Sequence, residues 1–410
     1  MTSRRATSHA SDVDFESIKT IVSLALIFGI AAFATDMYLP AFPAISRAFD
    51  TSPQAVQWSL SVFLYGNAVG HLFFGPLSDR YGRKPVLLIG IATFAVTSFG
   101  CALALDIESF YVYRAGQGAA AASGPVLVRA LINDCLERNR AAQTLALLTG
   151  LMAFAAMLTP MLGGWLVEHK SWQWIFYAIG GLGVLLFLTA MTNTRETLPH
   201  SKRLKTLGPT DVTRGYIEIG RDLRFWCYTV PPALMFAGVF AYAVVNSFLL
   251  IDDLGMAAQR HGVTYSIAAF AYVMGSLTSN RLVRLVGIDR AIVIGLTSGI
   301  VTAIAAVIAS SLLPLSILLV LIPGLCLFFS TSLILPVAFS MAVSLYPARG
   351  GSASAVVGFM QLTLAGIGSG VSAYLYNGST MRLHLFTVGC CVAASAVWIA
   401  GSRFRHAKPE

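Results

Sequence analysis

The residues best suited to chemistry are two charged side chains, Asp36 and Arg114, that lie inside long apolar runs. A charge inside a membrane is costly unless it faces a polar interior or a partner, so such residues often mark ion and proton pathways. At 1.5 Å per residue, Asp36 lies about 10 Å inside the outer end of its run, and Arg114 about one turn inside its own. Because these depths are comparable, we predict that the two side chains pair.

Two interpretations of this pair remain open. Asp36 can exchange a proton as its access to water alternates, or it can stay ionised and only neutralise Arg114. Arg114 can also extend its long side chain to the outer membrane surface. His71 is the second candidate for a titrating group, although Gly66 and Gly70 beside it indicate close helix packing.

The elements that must position these residues are membrane-spanning helices. Of the 410 residues, 56% are hydrophobic and 11% are charged, and the mean hydropathy is +0.72, which is more apolar surface than one soluble core can bury. A span needs roughly 20 apolar residues. The sequence predicts six spans in its first half, Ile18–Pro43, Pro53–Phe74, Val86–Leu105, Phe110–Ile132, Thr144–Val167 and Trp172–Thr192. It predicts six more in its second half, Phe225–Leu250, Gly262–Leu282, Ala291–Ser311, Leu315–Val343, Ala353–Leu375 and Leu383–Ala400.

The distribution of charge gives the topology. With the N-terminus inside, 23 of the 28 Lys and Arg residues fall on the cytoplasmic side, so the net charge of +9 reflects orientation in a lipid bilayer and not nucleic-acid binding. We expect a cytoplasmic tail (1–17), a first six-helix bundle (18–192), a cytoplasmic linker (193–224), a second bundle (225–400) and a cytoplasmic tail (401–410). Apolar and charged residues are mixed from Asp211 to Trp226 at spacings that suit a helix on the membrane surface.

Other classes of protein lack their signatures here. The sequence contains no His-Glu-x-x-His, Walker, Gly-x-Ser-x-Gly or Cys-x-x-Cys motif, which argues against an enzyme and against ATP-driven transport. Five of the six cysteines fall within spans or at their edges, so we expect no disulfide framework and no metal site. Weak internal repetition relates Gly75–Asp79 to Gly275–Ser279, displaced by 200 residues, as in transporters built from two repeats with a site between them.

The segment after the second predicted span carries the most specific motif. Gly75, Asp79, Arg80, Gly82, Arg83 and Lys84 stand in a pattern that resembles motif A of the major facilitator superfamily. We expect Gly75 and Gly82 to allow turns and close helix approach, and Asp134 to join Asp79 and Arg83. The resemblance implies ion pairs that hold the two halves together in the outward-facing state. A plain basic loop would account for the cations, but not for the glycines and the acid.

Two further segments resemble motifs of the same family. Tyr113 to Gly118, which contains Arg114 and Gln117, is similar to motif B. Gly150, Thr159, Pro160, Gly163 and Gly164 resemble the antiporter motif C, with Thr159 in the place of a glycine. A kinked packing helix is the alternative interpretation of this last motif. Together with Thr35–Pro40 and Gln57–Ser61, these segments resemble the Bcr/CflA branch of drug/proton antiporters most clearly over residues 30–175.

The resemblance implies a twelve-helix, all-α transmembrane fold of two six-helix bundles around a central cavity. It implies a drug/proton antiporter for lipophilic or cationic drugs, which needs no cofactor beyond the proton gradient and acts as a monomer in the bacterial inner membrane. A proton-coupled carrier of a nucleoside, sugar or siderophore remains the alternative. Aromatic residues and a few polar ones are candidates for the cavity wall: Tyr38, Trp58, Tyr65, Asn67, His71, Gln117, Phe236, Tyr242, Asn246, Phe329 and Gln361.

Overall fold

The computed structural model describes residues 17–199, 201, 203, 209–376 and 378–405, and within them the chain is helical without any strand. The predicted tail residues 1–16 and 406–410, and most of 200–208, lie outside the described part. The helices are α1 (Ile18–Phe28), α2 (Ile30–Asp36), α3 (Phe42–Ala48), α4 (Pro53–Tyr81), α5 (Arg83–Ala102), α6 (Ile107–Ala121), α7 (Ser123–Cys135), α8 (Arg138–His169), α9 (Gln173–Asn193), α10 (Pro209–Arg221), α11 (Leu223–Phe248), α12 (Ala258–Val286), α13 (Ile288–Leu312), α14 (Ile317–Ser344), α15 (Gly350–Leu375), α16 (Met381–Ala400) and α17 (Ser402–Arg405).

The number of spans agrees with the all-helical membrane fold expected from the sequence. In the described residues, nine helices are long and apolar enough to cross a membrane, and a bent pair, Ile18–Phe28 with Ile30–Ala48, makes a tenth. Helix α12 and the consecutive helices α6 and α7 are as long as the others but more polar, and they pack among them. We count these two segments as spans, which gives twelve.

Capping side chains set where several of these helices begin. The Ser52 hydroxyl accepts a hydrogen bond from the backbone N–H of Ala55 at the start of α4, and Asp106 accepts one from Ser109 at the start of α6. Asp222 and Ser316 cap α11 and α14 in the same way. Such side chains satisfy N–H groups that have no partner within the helix. Each of them lies in a polar joint between two apolar runs.

The first and fourth predicted spans are not continuous helices. The first bends by 52° between α1 and α2 at Gly29, and a 3-10 turn, Leu39–Ala41, separates α2 from α3. Pro40 and Pro43 lack the N–H that a regular helix would use there. The fourth span changes from α6 to α7 at Ala122. The sequence predicted one uninterrupted span at each of these positions.

The two halves repeat the same arrangement in a register that differs from the predicted one. Helix α5 begins directly after Gly82 and α13 directly after Gly287, and both glycines have positive φ, 101° and 85°. The halves are therefore displaced by 205 residues at this joint. Gly275 accordingly corresponds to Gly70, and both pack against the backbone of a neighbouring helix, at Phe329 and Ala119. The predicted displacement of 200 residues, which paired Gly275 with Gly75, is wrong.

The end of the bundle at which α4 meets α5 is called the inner end here, and the opposite end the outer end. In the predicted topology, the inner end faces the cytoplasm. The linker contains α10, Pro209–Arg221, where the sequence predicted a surface helix from Asp211 to Trp226. All six cysteines are free, as expected.

Candidate functional site

Asp36 lies at a break in the first span. It is the last residue of α2, is partly exposed, and its Oδ1 accepts a hydrogen bond of 3.1 Å from the hydroxyl of Thr35. The other acids of the described spanning helices lie within two residues of a helix end near the membrane surface. Asp36 is therefore the carboxylate that lies deepest among the described spans.

Helices of both halves meet beside Asp36. A Cβ added to Gly163 of α8 would lie 2.0 Å from the carbonyl oxygen of Met37, so α8 packs directly on the residue after the acid. Tyr265 of α12, in the second half, is close enough to interact electrostatically with Asp36. The acid thus lies where α2 and α8 of the first half meet α12 of the second.

Arg114 is fully buried within the first half. Its guanidinium lies over the rings of Tyr38 and Phe63, 4.5 and 4.4 Å from their centroids, and 5.8 Å from that of Phe176. Aromatic faces attract a cation, and the attraction strengthens when water is excluded. Nη1 donates to the carbonyl of Ala34 and to Oε1 of Gln117. Nε and Nη2 have no hydrogen-bond partner in the described part of the chain.

The predicted ion pair between Asp36 and Arg114 is wrong in this structure. No carboxylate of the described residues lies within ion-pair distance of Arg114, whose charge is instead balanced by aromatic rings and a backbone carbonyl. The reason is helix geometry. Arg114 reaches Ala34, and a residue two positions further along a helix lies about 200° around its axis. The side chain of Asp36 therefore points away from α6.

The motif A residues form an ion-pair network at the inner end. Arg83 lies 2.6 Å from Asp79 and 3.0 Å from Asp134, and its Nη1 also donates to the hydroxyl of Ser78 at 2.6 Å. The structure brings together the three charged residues that the sequence suggested. Arg80 lies over the ring of Tyr81, 5.0 Å from its centroid, and Lys84 donates to the carbonyl of Met191.

Residues after α9 complete this network and were not predicted. Oε1 of Glu196 accepts a hydrogen bond of 2.9 Å from the backbone N–H of Arg83, and Thr197 donates to Asp134. A Cβ at Gly82 would lie 2.2 Å from Oε2 of Glu196, so the glycine provides space as well as its turn. Gly75 provides neither a turn nor a close helix approach, because it lies within α4 and a Cβ there would meet nothing within 4 Å. More than 100 residues separate Glu196 from Arg83, and no local pattern marks the pairing.

The motif A ion pairs all lie within the first half and do not join the halves in this structure. The linker helix α10 connects the two halves nearby. The hydroxyl of Tyr216 in α10 donates to the carbonyl of Leu72 in α4 at 2.8 Å, while Glu218 pairs with Arg349, next to the start of α15. The connection between halves that the resemblance implied at motif A thus lies on α10.

The motif C residues serve as contacts of α8. Gly163 packs on Met37, and a Cβ at Gly164 would lie 2.4 Å from the carbonyl oxygen of Ala258 in α12. The carbonyl oxygen of Pro160 lies similarly close to Gly262 of α12. Thr159 is buried and donates to Ala156. Gly150 has open space around it.

The predicted cavity residues fall into three groups. Three are packed within their own half and not between the halves. Tyr38 and Gln117 surround Arg114 in the first half, and Tyr242 stacks on His384 in the second. Others lie where α4 meets α15: a Cβ at Gly370, Gly366 or Gly358 of α15 would touch the side chain of Trp58, Tyr65 or His71. In the last group, Asn67 and Asn246 are buried with an unpaired Oδ1, Phe236 packs on Phe240, Phe329 lies against Gly275, and Gln361 lines a small cleft.

The two halves touch at both ends. The outer contact consists of an ion pair of 3.0 Å between Arg47 and Asp252 and a hydrogen bond from the N–H of Gln259 to Glu168. The inner contact consists of Arg129, which bonds to Ser354 and lies over Phe339, together with His71 against Gly358. This arrangement defines a membrane transport protein of two repeated bundles.

The family model of the Major Facilitator Superfamily matches residues 24–405. The chain belongs to this family, and it is a transporter and not an enzyme. It is 26% identical over 92% of its length to a bicyclomycin resistance protein homolog of Haemophilus influenzae, covering 94% of that protein. It is 28% identical over 88% of its length to the multidrug resistance protein MdtL of Klebsiella pneumoniae, covering 89% of it. An uncharacterized MFS-type transporter of Bacillus subtilis, YdgK, is 32% identical over 85% of the chain and 88% of its own length.

Solved structures share the fold. A bacterial homolog of the human lysosomal transporter Spinster superposes with a TM-score of 0.72 at 17% identity, covering 95% of this chain and 98% of that one. A D-xylose–proton symporter superposes with a TM-score of 0.71 at 16% identity, covering 93% and 98%.

Proposed function

We propose that this protein is a proton-coupled secondary transporter that exports small lipophilic or cationic drugs by alternating access. The observation that carries the proposal is the position of Asp36, a partly exposed carboxylate deep in a broken span, at the place where the halves meet. The printed names of two relatives, a bicyclomycin resistance protein homolog and a multidrug resistance protein, support drug export. We further propose a monomer in the bacterial inner membrane with both termini in the cytoplasm.

The geometry suggests how coupling works. When the outer contact separates, α8 and α12 part beside Asp36, and the acid gains access to water from the outside, where it binds a proton. When the inner contact separates instead, the acid releases that proton to the inside. Since the halves contact each other at both ends in this structure, one side opens only after a defined set of contacts breaks. The proton gradient is then the driving force, and no cofactor takes part.

The decisive experiment is drug-induced proton release in everted membrane vesicles. We expect a lipophilic drug to elicit proton movement with the wild-type protein and Asp36→Asn to abolish it, since an amide cannot carry a proton. Asp36→Glu should retain part of the activity. Glu108→Gln, which removes the same charge from an exposed position at the outer end of α6, should behave like wild type.

Two results would overturn the proposal. Full proton coupling by Asp36→Asn would remove the role of this acid. A wild-type protein that responds to no drug in a broad panel, yet moves protons with a nucleoside, sugar or siderophore, would identify a metabolite carrier instead.

A further inference from the structure

The inner contact contains an arginine whose charge no carboxylate balances. Arg129 lies in α7, about 9 Å along the axis from the last residue of that helix, Cys135. Its Nη1 donates to the hydroxyl of Ser354 in α15, and its guanidinium lies 5.2 Å from the ring centroid of Phe339 in α14. An uncompensated arginine at this depth is costly, and such residues usually have a function.

The surroundings of Arg129 are positive or neutral. His71 of α4 is close enough to interact electrostatically with Arg129, and its Nδ1 is already bonded to the carbonyl of Asn67. Helices α14 and α15 carry no acidic residue, and the acids of α4 and α7, Asp79 and Asp134, are paired with Arg83. The guanidinium therefore keeps its full charge at the interface between the halves.

A cleft borders this charge. It is a small cleft, whose empty space of about 200 Å³ includes its open mouth, and Phe339, the ring next to Arg129, forms part of its wall. Pro232, Leu335 and Val357 make the wall largely apolar, while Thr229 and Gln361 supply its polar groups. An apolar cleft with few polar groups suits a lipophilic solute. Arg129, which contacts the lining residue Phe339, adds a preference for negative charge or strong hydrogen-bond acceptors.

We propose that Arg129 is a specificity-determining residue, which makes the inner binding site select lipophilic solutes that carry an anionic or hydrogen-bond-accepting group and disfavour cations. The inference rests on the proposed function and narrows its substrate class. A solute that enters from the inner end meets Arg129 before Asp36, because Asp36 lies in the part of its span nearer the outer end. Of these two charges, the one nearer the inner end is thus positive.

The test uses a pair of probes with the same shape and opposite charge, tetraphenylborate and tetraphenylphosphonium. Equilibrium binding of each to the purified full-length protein is measured by the change in tryptophan fluorescence. We expect the wild-type protein to bind the anion more tightly. Arg129→Gln should lower the ratio of the two affinities at least tenfold, which is about 1.4 kcal/mol. Arg129→Lys keeps the charge and should keep the ratio.

An unchanged ratio in Arg129→Gln, or a wild-type preference for the cation, would overturn the proposal. An equal loss of affinity for both probes in Arg129→Gln and Arg129→Lys would also overturn it, since that result indicates a structural role alone. The melting temperatures of both variants check that they fold. Failure of the proposed function has a different signature, because a protein that exports no drug in vesicles can still show the charge preference in this binding assay.

Discussion

The substitution Gly163→Ala adds a single methyl group and no charge, so it tests the packing of α8 alone. Gly163→Ala places a Cβ 2.0 Å from the carbonyl oxygen of Met37, where ordinary contact begins at 3.4 Å. The two helices must therefore move apart by about 1.4 Å, and a backbone atom cannot rotate away as a side chain can. Overpacking of this kind costs typically 1–3 kcal/mol. We expect about 3 kcal/mol here and, for a chain of 410 residues, a melting temperature lowered by about 3 to 4 °C.

The control is the same substitution in the same helix. A Cβ at Gly150 meets nothing within 4 Å, so Gly150→Ala should be neutral or slightly stabilising, because alanine favours helix by about 1 kcal/mol over glycine. Thermal unfolding of both variants in detergent, followed by proton release in vesicles, makes the comparison. Since Met37 follows Asp36, Gly163→Ala should also impair proton coupling. Equal stability and equal activity of the two variants would refute this account of the α8 contact.

Two further predictions concern the ends of the bundle. The first concerns the outer ion pair, which Arg47→Ala or Asp252→Ala removes. The assay is the rate at which a cysteine placed at buried Asn246 reacts with an external maleimide. Either substitution should raise this rate by up to about fivefold, since an exposed ion pair contributes up to about 1 kcal/mol. The double variant should be no faster than either single one, and Lys170→Ala should have no effect. At the inner end, partial burial raises the pKa of Asp222, but hydrogen bonds from Arg224 and Tyr346 outweigh that effect and hold the pKa below its usual value of 3.8. A lowered carboxyl pKa stabilises the folded state above about pH 4, and this stability is lost as the pH falls through the folded pKa. The melting temperature of Asp222→Asn should thus lie slightly below that of the wild type at pH 7, and this difference should shrink as the pH falls below 3.8, whereas parallel curves would contradict the assignment.

Much of the fold follows from the sequence because the membrane imposes simple rules. A span must be apolar over roughly 20 residues and must satisfy its own backbone groups, so length and hydropathy locate the helices. Asp36 and Arg114 could be identified in the same way, since a charge in an apolar run is conspicuous. The partners Asp79, Arg83 and Asp134 could be chosen because the first two stand in the motif A pattern and the third lies at the same end of the bundle.

The packing of the helices, and not the sequence by itself, shows which groups face each other. The sequence shows that Asp36 and Arg114 lie at similar depth, but the rotation of a helix about its axis, set by packing at Gly29 and Gly163, directs Arg114 to aromatic rings and to the carbonyl of Ala34. The contacts of Glu196 with Arg83, and of Arg129 with Phe339 and Ser354, join residues 113, 210 and 225 positions apart. Hydropathy fixes where a residue lies along the membrane normal. Only side-chain packing between helices fixes its direction within the bundle, because that direction depends on residues distant in the chain.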